Sequence, residues 1–126
     1  MATPGRRRRI LCVDDDVMLA ELCEERLQGL GYEVVGVADA EKALRLLEQN
    51  PGGFDLLIVD QIMPEMTGTA LAKRALTIRP DLRLLLVTGS EEVVSEEDAR
   101  ELGVREVLVK PFTTAELEAA IERVFA

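Results

Sequence analysis

Five short apolar runs recur along this chain at nearly even intervals, and no other feature restricts its folding as strongly. They are Ile10–Val13, Val34–Val37, Leu56–Val59, Leu84–Val87 and Val107–Val109, and their last residues lie 24, 22, 28 and 22 positions apart. That spacing is about one strand plus a crossover helix, a unit of roughly 30 residues or somewhat fewer. The central runs do not alternate apolar with polar residues. Both faces of these strands should therefore be covered, as in a parallel sheet between helices.

The intervening segments carry helical periodicity. Leu19, Leu22, Cys23, Leu27 and Leu30 predict the inward stripe of a first helix, with Glu21, Glu24, Glu25 and Gln28 largely opposite and Gly29 and Gly31 as the stop. Asp39 is the expected N-cap of a second helix carrying Ala40, Ala43, Leu44 and Leu47, closed by residues 50–53. Gly68 to Ile78 is the third, with Leu71, Ala72, Ala75 and Ile78 inward. A short fourth helix is expected from Ser95 to Leu102. Thr113 and Glu116 have capping-box spacing and open a fifth through Leu117, Ala120, Ile121 and Val124. The alternation is (βα)5, and right-handed crossovers then put helices on both faces of an open sheet.

With 126 residues, 48% of them hydrophobic, the chain suits one domain with a filled core. Its formal net charge is −9. Arg6 to Arg9 supply four of the 15 basic residues, so residues 10–126 carry −13, a poor match for nucleic acid phosphates or anionic lipid. Residues 1–8 read as a flexible basic segment and residues 9–126 as the folded domain. The absence of histidine excludes Ser-His-Asp and Cys-His activation and His-ligated metals. Cys12 and Cys23 are expected to be buried reduced thiols of a cytoplasmic protein. No stretch approaches the ~20 apolar residues of a membrane-crossing helix.

In open α/β sheets, ligands bind at the carboxyl ends of the strands. The first run is followed by Asp14, Asp15 and Asp16, the third by Asp60, the fourth by Thr88 and the fifth by Lys110. Singly, each has an ordinary reading: Asp16 as a helix cap, Asp60 and Thr88 as turn residues, Lys110 as a solvated loop lysine. Together they are harder to dismiss, because clustered carboxylates repel unless a cation or a proton relieves them. With no histidine and no cysteine expected at the site, oxygen ligation points to Mg2+. Lys110 and Thr88 then suit phosphoryl oxygens. There is no G-x-x-x-x-G-K-[ST] loop and no G-x-G-x-x-G, so a carboxylate nucleophile forming an aspartyl phosphate remains.

These residues resemble the response-regulator receiver domain of two-component signalling over residues 8–125. The segments that carry the resemblance are Ile10–Asp15, Leu57–Pro64 followed by Gly68, Leu86–Gly89, and Val109–Phe112. It implies a flavodoxin-like doubly wound sheet of strand order 2-1-3-4-5. It implies Asp60 as phosphoacceptor for a phosphohistidine, with Thr88 and Lys110 as catalytic partners. Mg2+ would be held by Asp14 (through water), Asp15, Asp60 and the backbone carbonyl of Ile62. Pro64 and Gly68 would shape the loop after Asp60. Partners would be a histidine kinase or histidine phosphotransfer protein meeting the first helix and Pro111–Phe112, and a downstream protein target. A phosphorylation-dependent homodimer also fits.

Three residues set expectations of their own. Val107 stands three positions before the lysine, where the family commonly has an aromatic, so switching would run through the loop Thr88–Ser95, the fourth helix or association. Gly89 should loosen that loop. Apolar Ile62 cannot orient a hydrolytic water, which predicts a long-lived phosphoryl group. The expected function is thus a phosphoacceptor signalling module rather than an enzyme acting on other molecules, stand-alone or from a larger protein, with no output domain after the fifth helix. The alternative is a receiver-like interaction domain that is not phosphorylated. A small Mg2+-dependent phosphatase would need a strand-end Asp-x-Asp, which Asp60-Gln61-Ile62 lacks.

Overall fold

A computed structural model describes residues 8–89 and 100–126. The expected start of the fourth helix and most of the loop Thr88–Ser95 lie outside the described residues, as do Arg6 and Arg7. The described residues form five strands: β1 (Arg9–Val13), β2 (Glu33–Val37), β3 (Leu56–Asp60), β4 (Arg83–Thr88) and β5 (Glu106–Val109). Four helices lie wholly within the described residues: α1 (Val17–Gly29), α2 (Ala40–Gln49), α3 (Gly68–Ile78) and α4 (Thr114–Phe125), the last being the one expected as the fifth. All strand pairs are parallel and the order is β2-β1-β3-β4-β5, the flavodoxin-like arrangement.

Successive residues of a strand face opposite sides of the sheet, and here that divides the apolar runs between two cores. Leu11, Val13, Leu57, Val59, Leu84 and Leu86 join the cluster under α2 and α3. Their neighbours Ile10, Cys12, Leu56, Ile58, Leu85 and Val87 join the cluster under α1 and α4. Runs such as Leu84–Val87 are unbroken because neither face meets water.

The caps follow the sequence closely. Asp16 accepts from the Met18 and Leu19 amides, Asp39 from Glu41, and Thr67 from Ala70. Thr113 and Glu116 complete the expected capping box. Gly31, at φ +97°, takes the left-handed conformation that ends the α1 turn.

The inward face of α1 differs from the expected stripe. Leu19 and Leu22 are 44% and 41% exposed, whereas Ala20 and Leu27 are buried and Cys23 and Leu30 partly so. The cause is close approach to β2. A Cβ at Gly36 would lie 3.0 Å from the Ala20 carbonyl oxygen, so the small Ala20 faces the sheet and the larger leucines turn to the rim. The Gly36 amide donates to the Glu24 carboxylate at 2.9 Å, tying α1 to this strand.

Candidate functional site

The strand order reverses between β1 and β3, so the carboxyl ends of these two central strands adjoin. Asp60 is the last residue of β3 rather than a loop residue, in register with Val87 of β4, and is only 7% exposed. Thr88 likewise belongs to its strand; it is buried one position beyond Val87, and its hydroxyl donates to the Gly89 carbonyl at 3.3 Å. Lys110 directly follows β5. Its amide donates to the Thr88 carbonyl at 2.8 Å, and its ammonium donates to Asp60 Oδ2 at 2.9 Å. The bond from Lys110 to Pro111 is cis.

Asp14 is positioned from two directions. Its amide donates to the Val37 carbonyl at 3.1 Å, and its Oδ1 accepts from the Asp16 amide at 3.0 Å. Asp14, Asp15 and Asp60 can each bring one carboxylate oxygen within 4.8 Å of the others. Burial pushes the Asp14 carboxyl above its ordinary value, and the charges of Asp60 and Asp15 add to this; the Asp16 amide and Lys110 oppose it. Among the described residues, one ammonium among three carboxylates leaves net negative charge, and an oxygen-only donor set of this kind suits a hard divalent cation such as Mg2+. Asp16 stands apart from this group, because its carboxylate caps α1. Ile62 lies two residues beyond Asp60 with its side chain 59% exposed.

The loop after Asp60 is braced more firmly than the sequence suggests. The Gln61 amide donates to the Val87 carbonyl at 2.8 Å and its carbonyl accepts from the Gly68 amide at 2.9 Å. The Gln61 side chain accepts from the Thr69 amide at 3.0 Å. A Cβ on Gly68 would fall 2.5 Å from the Asp60 carbonyl oxygen and 2.9 Å from Leu86 Cδ1. Gly68 therefore lets the first turn of α3 rest directly on the backbone of Asp60. Sequence reasoning gives Gln61 no role. The one signal it offers is a polar residue beside a strand-end Asp, eight positions before a helix threonine.

The expectation of no cysteine near the site is corrected. A cavity of about 270 Å3 runs beneath the strand ends, and Cys12, Cys23, Leu22, Asp60, Lys110 and Phe112 are among its lining residues. Cys12 is buried, Cys23 is half-buried, and their sulfurs lie 3.1 Å apart. The hydrogen bond to Cys23, with burial, raises the Cys12 thiol well above its ordinary value, and the same hydrogen bond lowers Cys23. Both are free thiols. Oxygen-only ligation still describes the acidic group, since among the described residues it consists of Asp14, Asp15 and Asp60.

Comparison with known proteins gives a consistent pattern. Residues 10–122 match the family model described as response regulator receiver domain. The response regulator receiver protein CpdR of Brucella abortus is 35% identical over 92% of this chain and 95% of its own length. The DNA-binding transcriptional regulator NtrC of Azospirillum brasilense is 35% identical over 90% of this chain, but that stretch is 23% of NtrC. The chain also spans about half the length of the ycf27 proteins of Cyanophora paradoxa (47%) and Porphyridium aerugineum (48%). Among solved structures, the response regulator TrrA of Thermotoga maritima in complex with Mg2+-BeF superposes with a TM-score of 0.78, at 31% identity over 93% of this chain and 98% of TrrA.

Proposed function

This chain belongs to the response-regulator receiver domain family, and from that premise we propose that Asp60 accepts a phosphoryl group from a phosphohistidine of a histidine kinase or histidine phosphotransfer protein. The observation that carries the reading is the Asp60 carboxylate, nearly buried, hydrogen-bonded to the Lys110 ammonium at 2.9 Å and grouped with Asp14 and Asp15.

In the transfer, a carboxylate oxygen of Asp60 forms the new P–O bond. The P–N bond to the partner's imidazole breaks, and the departing nitrogen keeps the electron pair. Such a reaction needs in-line positioning and charge compensation more than bond-making groups. Fixed at the end of β3 and braced through Gln61 and Gly68, Asp60 is positioned before its partner arrives. Lys110 compensates charge on the phosphoryl oxygens, and the Thr88 hydroxyl donates to them after turning from Gly89. Asp14, Asp15, Asp60 and the Ile62 carbonyl would hold Mg2+, which supplies further charge neutralisation when bound. TrrA, crystallised with Mg2+-BeF, supports this assignment.

The phosphoryl group adds about 1.5 to 2 negative charges beside Thr88 and Lys110, where a change of interaction surface toward a downstream target, or toward a second copy, would begin. The partner kinase would meet α1, where Val17 and Met18 are 58% and 79% exposed next to the acidic loop, together with Pro111 and Phe112. We assign no nucleic-acid contact to the acidic segment itself; NtrC extends well beyond the stretch it shares with this chain. No helix among the described residues is long and apolar enough to cross a membrane. A cytoplasmic site of action, where phosphohistidine donors and free thiols coexist, belongs to the same reading.

The test is incubation with acetyl phosphate and Mg2+, read by intact mass. One added phosphoryl group that disappears in Asp60→Ala is the expected result. No adduct from acetyl phosphate or from a phosphorylated kinase would refute the assignment in favour of an interaction domain. Turnover of many phosphate esters would instead mark a phosphatase.

A further inference from the structure

We propose that Cys12 and Cys23 form a dithiol modification site, which a hydroperoxide converts to an intramolecular disulfide joining β1 to α1. Their sulfurs are 3.1 Å apart although the residues are 11 positions apart in the chain. A disulfide needs about 2.05 Å, so closure asks for roughly 1 Å of further approach. One partner stands on a sheet strand and the other on the helix covering it, and neither is already bonded elsewhere.

Access is graded. Cys12 is 2% exposed, while Cys23 is half-buried on the wall of the 270 Å3 cavity, with Leu19, Leu22 and Arg26 beside it. An oxidant small enough to enter that cavity therefore meets Cys23 first. The Cys23 sulfur attacks the outer peroxide oxygen, the O–O bond breaks, the thiol proton passes through solvent to the departing oxygen, and water or an alcohol leaves. Cys23 is then a sulfenic acid. The Cys12 sulfur attacks the Cys23 sulfur, the S–O bond breaks, and water leaves with the Cys12 proton. Two electrons have passed from the sulfur pair to the peroxide. The acidic group uses oxygen atoms alone, so the disulfide stands independently of the phosphoacceptor reading.

The full chain is treated with hydrogen peroxide, then alkylated under denaturing conditions and weighed. The expected product is monomeric, two hydrogens lighter, with neither cysteine alkylated, formed at a rate independent of protein concentration and reversed by dithiothreitol. Cys23→Ala, on the cavity wall, should keep an alkylatable Cys12. Cys12→Ala should stop at a Cys23 sulfenic acid that dimedone traps. Covalent dimers whose yield rises with concentration would overturn the proposal. So would an oxygenated Cys23 beside an alkylatable Cys12 in the native chain, or two intact thiols at a peroxide dose that oxidises a free-cysteine peptide.

Discussion

Replacing Gly68 with alanine should displace Asp60 without touching a charged group. The added Cβ would lie 2.5 Å from the Asp60 carbonyl oxygen, 3.0 Å from its carbonyl carbon and 2.9 Å from Leu86 Cδ1. Ordinary contact begins near 3.4 Å, so the start of α3 must withdraw from β3 by most of an ångström. The leucine methyl can yield, but the carbonyl sits in a central strand paired on both sides. Overpacking of this kind costs about 1–3 kcal/mol. Alanine returns up to about 1 kcal/mol through helix propensity. Because the carbonyl cannot yield, the cost falls in the upper part of that range, about 2–3 kcal/mol, and the net loss is about 1–2 kcal/mol, or a Tm lower by about 4–8 °C for a domain of this size. Gly29→Ala is the matched control, because its Cβ would meet nothing within 4 Å at the end of α1. It should be neutral or stabilising by up to about 1 kcal/mol. Urea and thermal unfolding of both variants measure the difference. Gly68→Ala as stable as the parent, or both variants destabilised alike, would refute the close-approach argument.

Three further outcomes are expected. The Asp14 carboxyl is raised by burial first and by Asp60 next; its contribution to stability is present below its ordinary 3.8 and is lost as pH rises through the folded value. Asp14→Asn should therefore stabilise the metal-free protein at pH 7, with the advantage shrinking as pH falls through the folded value and gone below the ordinary 3.8, as thermal melts across pH will show. Mg2+ at ten times its Kd should add about 1.4 kcal/mol to unfolding free energy relative to a chelated sample, and Asp60→Asn should remove most of that gain. Ile62→Glu should shorten the phosphoryl lifetime severalfold by giving a hydrolytic water an acceptor at an exposed position beside Asp60; an unchanged lifetime in a phosphate-release assay would count against that role.

Much of this molecule could be read from its residues because burial on two faces writes itself into strand composition. Leu84–Val87 admits no polar residue, since Leu84 and Leu86 enter one core and Leu85 and Val87 the other. The grouping of Asp14, Asp15, Asp60 and Lys110 follows from topology, which brings the strand ends to one edge whatever the loops do. What escaped were contacts set by how closely two elements approach. Leu19 and Leu22 have the spacing of a buried stripe, yet the nearness of α1 to Gly36 selects Ala20. The meeting of Cys12 with Cys23 depends on the angle of α1 across β1, which no spacing rule encodes. The wedge of Gly68 against Asp60 is a packing distance, and a glycine at a helix start has several ordinary explanations.

The carboxylate of Glu24 on the Gly36 amide has a consequence beyond the seating of α1. Among the described residues β2 pairs only with β1, so its outer side is the open margin of the sheet, where an unsatisfied amide could template a strand from another molecule. Glu24 occupies that donor with an anionic side chain and lays part of a helix turn beside it. A foreign strand would have to displace the carboxylate and bury a charge to add itself there. Glu24→Ala should thus reveal itself less in folding than in colloidal behaviour, as a chain that self-associates at concentrations where the parent stays dispersed.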